Sequence, residues 1–260
     1  MHDALFAWYA EHARDLPWRR TTEPYAILVS EVMLQQTQVA RVVPRYLAWL
    51  ERWPTAAALA AATREDVLRA WVGLGYNRRA LALHAAAAVV ARDGWPDDLQ
   101  TLPGVGPYTA AAVGSFAFGA QEAAVDTNVR RVAARLGRGT PQELLAPGRA
   151  ADFNQAMMEL GATVCRARSP LCDDCPVAGW CATKGEAVPM PAPTAAAGKA
   201  RLARERFEDT NRWVRGRVIA ALAAGEALPE DIAPDRLARA ISGLERDGLV
   251  RRIGSSFALG

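Results

Sequence analysis

Lysine is almost missing from this sequence. Its 260 residues hold only Lys184 and Lys199, so nearly all the positive charge behind a formal net of +3 is arginine. No lysine before Lys184 is there to form a Schiff base, which excludes lysine-based covalent catalysis from that part of the chain. Histidine is scarce too. His2, His12 and His84 are scattered outside any metal-ligand pattern, so a histidine metal site is excluded. His84 falls in an alanine-rich run and reads as helix surface or core filler. Long apolar runs are lacking: Leu81 to Ala91 is mostly alanine and is interrupted by His84, so no membrane span is expected. Met1-His2-Asp3 lacks the basic start of a signal peptide. The expectation is a soluble, cytoplasmic protein with no membrane partner. With 51% hydrophobic residues, it can bury a core without disulfide staples.

Glycine and proline punctuate residues 1–160 into helix-length pieces, with no clear alternating strands. Pro24 opens one helix, where Tyr25, Leu28 and Val32, with Ile27 and Leu34, recur at helical spacing. Val39, Val42, Val43, Tyr46 and Leu47 mark a second over 38–49. Further helices are predicted over 64–72, 78–92, 107–117, 128–136 and 150–162. Residues 186–200 are rich in proline and alanine without periodicity and read as a linker. Beyond it, helices over 207–224 and 235–247 and a hairpin around Gly254-Ser255 outline a winged-helix-like module. Such modules bind DNA or pack against a neighbour. The fold class expected is all-α, with a body over 1–185, a linker over 186–200 and a small module over 201–260.

Four constellations carry chemistry. Leu102-Pro-Gly-Val-Gly-Pro-Tyr-Thr109 is a tight turn running into a helix, and Gly104, Val105 and Gly106 offer amides that suit an anion. A plain helix–turn–helix corner is the alternative. In Ala124-Val-Asp-Thr-Asn-Val129, Asp126 stands where a helix begins, a position that favours an N-cap. Cys165, Cys172, Cys175 and Cys181 make a C-x6-C-x2-C-x5-C loop, which asks for one metal centre. Four thiolates satisfy zinc or an iron–sulfur cluster. In its first gap, Arg166 and Arg168 face either phosphates or solvent. Finally, Glu31 in Ser30-Glu-Val-Met-Leu-Gln-Gln-Thr-Gln-Val39 has Ile27, Leu28 and Leu34 as helical neighbours. Desolvation there would raise its pKa and keep a proton available at neutral pH.

In order along the chain, L-P-W-R (16–19), the Ser30–Val39 segment, G-L-G-Y (73–76), L-P-G-V-G (102–106), V-D-x-N-V (125–129), F-N-Q-A-M-M (153–158) and the cysteine loop resemble the MutY-type adenine DNA glycosylases. These are helix–hairpin–helix base-excision enzymes related to endonuclease III, and the resemblance covers roughly residues 3–185. It implies a two-lobed helical body and a [4Fe–4S] cluster on the four cysteines. It implies a monomer that binds mispaired double-stranded DNA in the cytoplasm, associated with the nucleoid, and excises adenine opposite 8-oxoguanine or guanine. By the same resemblance Glu31 is the acid and Asp126 stabilises the sugar, with Tyr108 and Asn128 lining that site. Trp18, Arg19 and Gln155 surround the flipped adenine, while Gln36, Thr37 and Tyr76 read the base left behind. The turn amides of Gly104, Val105 and Gly106 hold a DNA phosphate. Endonuclease III has a lysine at the position of Tyr108 and cuts the strand; tyrosine there implies base removal alone.

Three features depart from the family. The tail is short and lacks the Nudix-related domain of many members, Asn77 replaces an aromatic or proline, and Thr127 replaces glycine. The rivals are a thymine or uracil mismatch glycosylase of the same fold and a non-catalytic DNA-binding protein. The Leu34–Gln38 and Phe153–Gln155 runs favour adenine over the first. Retention of both Glu31 and Asp126 argues against the second.

Overall fold

The computed structural model describes residues 1–184, 206–254 and 256–260; the linker expected over 186–200, and Ser255, lie outside them. The helices are α1 (His2–His12), α2 (Pro24–Leu34), α3 (Val39–Arg52), α4 (Ala56–Ala60), α5 (Arg64–Trp71), α6 (Arg78–Asp93), α7 (Pro107–Phe118), α8 (Thr127–Leu136) and α9 (Ala150–Thr163). Further along the chain come α10 (Asn211–Ala224) and α11 (Pro234–Arg246). Strands β1 (Val250–Ile253) and β2 (Ser256–Leu259) pair antiparallel, with Val250 opposite Leu259. Among the described residues no helix is long and apolar enough to cross a membrane.

Two helices escape the sequence reading. α1 buries only Leu5 and Phe6, too few to print a helical period. α4 is five residues of alanine and leucine, started by the Thr55 hydroxyl accepting from the Ala58 amide. The helix expected from 207 instead begins at Asn211, because the Thr210 side chain caps it by accepting from the Trp213 amide; Phe207–Asp209 form a 3-10 turn.

The chain divides into two compact units. The first comprises Met1–Glu31, Asp97–Thr101 and the described residues from Val105 to 184. Its core joins Leu5 and Phe6 of α1, Val129, Val132 and Leu136 of α8, and Phe153, Met157 and Leu160 of α9, with Cys165, Cys175 and Cys181 packed against it. The second comprises Val32–Pro96, Leu102–Gly104 and the described residues from 206 onward. Trp49 meets Trp53 and Trp71 edge to face, at 4.7 and 5.5 Å between ring centres. The C-terminal helices and hairpin join this second unit through arginines of α5. Arg64 Nη2 donates to the Gly248 carbonyl at 2.7 Å, and Arg69 Nε to that of Ala223 at 2.9 Å. A helix-end carbonyl has no intrahelical donor, so an arginine that reaches it fixes two elements at once.

Candidate active site

Helix α2 is buried nearly all round at Tyr25 to Met33, and Glu31 sits among those residues only 5% exposed. Burial pushes its pKa up to about 7; a hydrogen bond from Tyr108 acts against this, and the nearby Asp126 charge adds to it. Its Oε2 is buried with no hydrogen-bond partner. Tyr108 lies in the first turn of α7, after Pro107 at the first helical position.

Asp126 is the N-cap of α8, as its position foretold. Its Oδ1 accepts from the Val129 amide at 2.7 Å and its Oδ2 from Asn128 Nδ2 at 3.1 Å. Burial raises its pKa, and the Val129 and Asn128 groups together with the Arg131 charge oppose that rise. Asn128 turns its Oδ1 to Arg131 Nη2 at 2.7 Å, and Arg131 donates onward to the carbonyls of Gly161 at 2.6 Å and Cys165 at 2.8 Å. Helix α9 must come close for this. A Cβ on Gly161 would lie 2.6 Å from that of Asn128, so only glycine fits. Upstream, fully buried Asn154 takes the Ala124 amide at 3.0 Å and donates to the Ser115 hydroxyl and the Glu122 carbonyl, pinning the segment that leads into Asp126.

A second network gathers Arg19 and Gln155. Gln155 Oε1 accepts from the Tyr9 hydroxyl at 2.6 Å, which leaves its amide N–H groups to face other partners. Arg19 lies over the Tyr9 ring, 5.4 Å from its centre, and donates to Glu159 Oε2 at 2.7 Å. Arg14 donates to the same carboxylate at 2.7 and 3.0 Å. Glu159 is fully buried; burial alone would raise its pKa, yet the two guanidiniums hold it below the usual range. Trp18 is buried in the 3-10 turn Pro17–Arg19. Tyr9, Arg14 and Glu159 escaped the sequence reading because nothing local marks them.

Gln36, Thr37 and Tyr76 belong to the second unit. Gln36 and Tyr76 both carry left-handed backbones, at φ 56° and 47°. One side chain explains how they are held. Arg79 Nη1 donates to the carbonyls of Val32, Met33 and Gln35, and its Nη2 to the Thr37 hydroxyl and to the carbonyls of Leu74 and Gly75, at 2.6 to 3.2 Å. Burial pushes this guanidinium down to about 10. It ties the end of α2 to the turn before Tyr76. The Gly104–Gly106 turn is separate: Gly104 has φ 77° and would put a Cβ 2.6 Å from that of Ala82, while Gly106 caps α7.

The four cysteines line one pocket with Arg135, Val164 and Leu171. Among the described residues no three acidic, histidine or cysteine side chains are spaced to hold a single metal ion, as tetrahedral zinc requires. Four thiolates lining one pocket suit an iron–sulfur cluster. Arg135 closes one side, with Nη1 at 3.3 Å from Cys165 Sγ and its own carbonyl accepting from Cys181 Sγ at 3.3 Å. Arg166 and Arg168 are exposed.

Comparison with known proteins agrees with this chemistry. Residues 29–147 match the HhH-GPD superfamily of base excision DNA repair proteins, and residues 165–181 match the iron–sulfur binding domain of endonuclease III. An adenine DNA glycosylase of Mycobacterium tuberculosis is 47% identical over 244 residues, covering 85% of this chain and 78% of that protein. The human adenine DNA glycosylase is 44% identical over 208 residues, covering 68% of this chain and 38% of that protein. Among solved structures, a thermostable thymine-DNA glycosylase superposes with a TM-score of 0.62 at 30% identity, over 69% of this chain and 93% of that one. Endonuclease III in a non-covalent DNA complex gives 0.58 at 27%, over 69% of this chain and 91% of that one.

Proposed function

This chain belongs to the adenine DNA glycosylase family, and from that premise we propose that it excises adenine mispaired with 8-oxoguanine or guanine without cutting the strand. The kinship makes it a DNA-binding adenine N-glycosylase of base-excision repair with a [4Fe–4S] cluster. The opposite base, the absence of lyase chemistry and the residue roles are our reading. One observation carries it: two neighbouring carboxyls, one buried with an unpartnered oxygen, the other fed by N–H groups.

Adenine leaves deoxyribose poorly as an anion, so a proton must reach its ring while positive charge grows on the sugar. That calls for one carboxylic acid and one carboxylate, with pKa values set apart by their surroundings. Glu31 retains a proton near neutral pH, and Asp126, accepting two N–H bonds, is the anion. Once the adenine is flipped out of the duplex, Glu31 gives its proton to a ring nitrogen as the N-glycosidic bond breaks and the bonding pair stays on the base. Asp126 lowers the energy of the cationic sugar until water adds at C1′ and loses a proton. Tyr108 orients Glu31, and Asn128 orients Asp126. Gln155, its carbonyl taken by Tyr9, presents amide donors to the acceptor nitrogens of adenine, while Trp18 and Arg19 frame the pocket. Gln36, Thr37 and Tyr76 read the base left behind, and the amides of Gly104, Val105 and Gly106 hold a phosphate. Cys165, Cys172, Cys175 and Cys181 would hold the cluster, which shapes their loop when bound. In this reading the protein acts as a monomer on nucleoid DNA in the cytoplasm.

Four duplexes test this: adenine opposite 8-oxoguanine, adenine opposite guanine, thymine opposite guanine and uracil opposite guanine, each with and without alkali. Cleavage of the adenine strand only after alkali is expected. Release of thymine or uracil instead would keep both carboxyls and reassign the pocket. Binding without any excision would leave a DNA-binding protein.

A further inference from the structure

The second unit holds a cavity of about 970 Å³, large enough for a nucleotide. Its walls come from two parts of the chain. One wall carries Gln36, Arg41 and Tyr76; the other, from the C-terminal module, carries Phe207, Arg212 and Trp213. Two of the arginines in this cavity are neutralised by carboxylates. Arg215 pairs with Asp247 at 2.5 Å, and Arg217 with Asp231 at 2.8 Å. Among the described residues no carboxylate pairs with Arg212. Its Nη1 donates instead to the Tyr76 hydroxyl at 2.7 Å, and its guanidinium lies 4.5 Å from the centre of the Tyr76 ring and 5.3 Å from that of Phe207.

We propose that Arg212 and Phe207 make the C-terminal module part of the lesion-reading site, where Arg212 selects a guanine or 8-oxoguanine edge opposite the adenine. This rests on the reading above that Gln36 and Tyr76 face the base left behind. A guanidinium has five N–H donors and no acceptor, and Nη1 makes only one bond here. The Tyr76 hydroxyl spends its oxygen on Arg212, so its hydrogen is free to donate. Both groups therefore face the cavity as donors. Guanine offers two adjacent acceptors along one edge, O6 and N7; in 8-oxoguanine N7 carries a hydrogen, leaving O6 and O8 as acceptors on either side of it. An arginine fork matches the guanine pair and donates to O6 or O8 of 8-oxoguanine singly, and it disfavours cytosine and adenine, which place an amino donor there. The aromatic faces of Tyr76 and Phe207 supply a stacking surface for a base. The uncompensated charge of Arg212 attracts the polyanion. Tyr76 is held at a left-handed backbone angle and is still 40% exposed, so its ring is offered to a ligand rather than packed into the core.

The test measures binding by the full-length protein of duplexes carrying 2′-fluoro-2′-deoxyadenosine, whose fluorine opposes the cationic sugar and blocks excision. The opposite base is guanine, 8-oxoguanine, cytosine or thymine. Wild type should bind the guanine and 8-oxoguanine duplexes most tightly. Arg212→Ala should shrink that preference over cytosine by about tenfold or more. Arg212→Lys should retain the salt dependence but lose most of the preference, because a point charge lacks the fork. Phe207→Ala should weaken the preferred duplexes by a smaller factor. Arg212 is exposed, so these variants should fold, which a melting curve confirms. An unchanged preference in Arg212→Ala would overturn the proposal. So would equal weakening of all four duplexes with a salt slope lower by about one, which marks a phosphate contact. No preference in wild type would overturn it as well. Excision by wild type is scored separately with ordinary adenine; failure there removes the proposed reaction, while the binding ranks still decide the role of Arg212.

Discussion

Two glutamates are buried in the same unit, and their surroundings drive them apart. Glu31 has a tyrosine hydroxyl for company and an oxygen with no partner, and its pKa climbs to about 7. Glu159 is more deeply buried, yet Arg14 and Arg19 hold it ionised. Burial alone therefore does not keep a carboxyl protonated; burial without a cation does. The comparison also separates two duties. The bare carboxyl is available for chemistry, and the braced one is spent on geometry, fixing Arg19 where the proposed adenine pocket needs it.

The largest test of the contrast replaces the bare carboxyl. Glu31→Gln should cut single-turnover excision by roughly 10²- to 10⁴-fold, the usual worth of a general acid. It should also stabilise the protein at high pH. Between pH 4.5 and about 7 the unfolded chain gives up this proton while the folded chain keeps it, so wild-type stability falls as pH rises. At pH 8 the variant should be more stable by up to about 3 kcal/mol, and at pH 4 by nothing; melting curves at both values check this. Equal melting temperatures at pH 8 would contradict the assignment.

Glu159→Gln should behave in the opposite way. It leaves two guanidiniums against a neutral amide, and unfolding in denaturant should show a loss of about 3 kcal/mol at neutral pH. Because the native pKa of Glu159 is lowered, the stability it confers is present above the ordinary glutamate range and fades as pH falls through the folded value, so the difference from wild type should narrow in acid. A sharper cut divides the two arginines. The Arg19 side chain is 14% exposed and that of Arg14 is 43% exposed. Arg19→Ala should cost roughly twice the stability of Arg14→Ala, whose more solvated pair contributes about 1 kcal/mol; equal losses would contradict the burial argument. The smallest expected effect lies outside both glutamates: Gly161→Ala should push Asn128 away from Asp126, slowing excision about tenfold through positioning while Glu31 keeps its alkaline limb. A pH profile of that variant separates the two carboxyls.

Much of the helical body was legible, because Pro24, Pro107, Asp126 and the apolar spacing around them are local signals. The surroundings of the two proposed catalytic carboxyls were legible too. Glu31 has apolar neighbours on its own helix, and Asp126 caps the helix it begins. What sequence could not show is the bracing. Arg14 and Glu159 are 145 residues apart, and Tyr9 and Gln155 are 146 apart. Arg212 and Tyr76 are 136 apart. No period or cap links such positions, and they meet only when each unit folds. Arg79 is a different case. It lies three residues beyond Tyr76, but its acceptors are backbone carbonyls, which leave no trace in residue identity.

The account stands or falls on a protonated Glu31 beside an ionised Asp126. Single-turnover release of adenine opposite 8-oxoguanine, measured from pH 4.5 to 9 at saturating enzyme, tests both together. The prediction is a bell, with an alkaline limb near pH 7 as Glu31 loses its proton and an acid limb as Asp126 gains one. A rate that stays flat or rises through pH 9 would contradict the assignment of Glu31 as the acid.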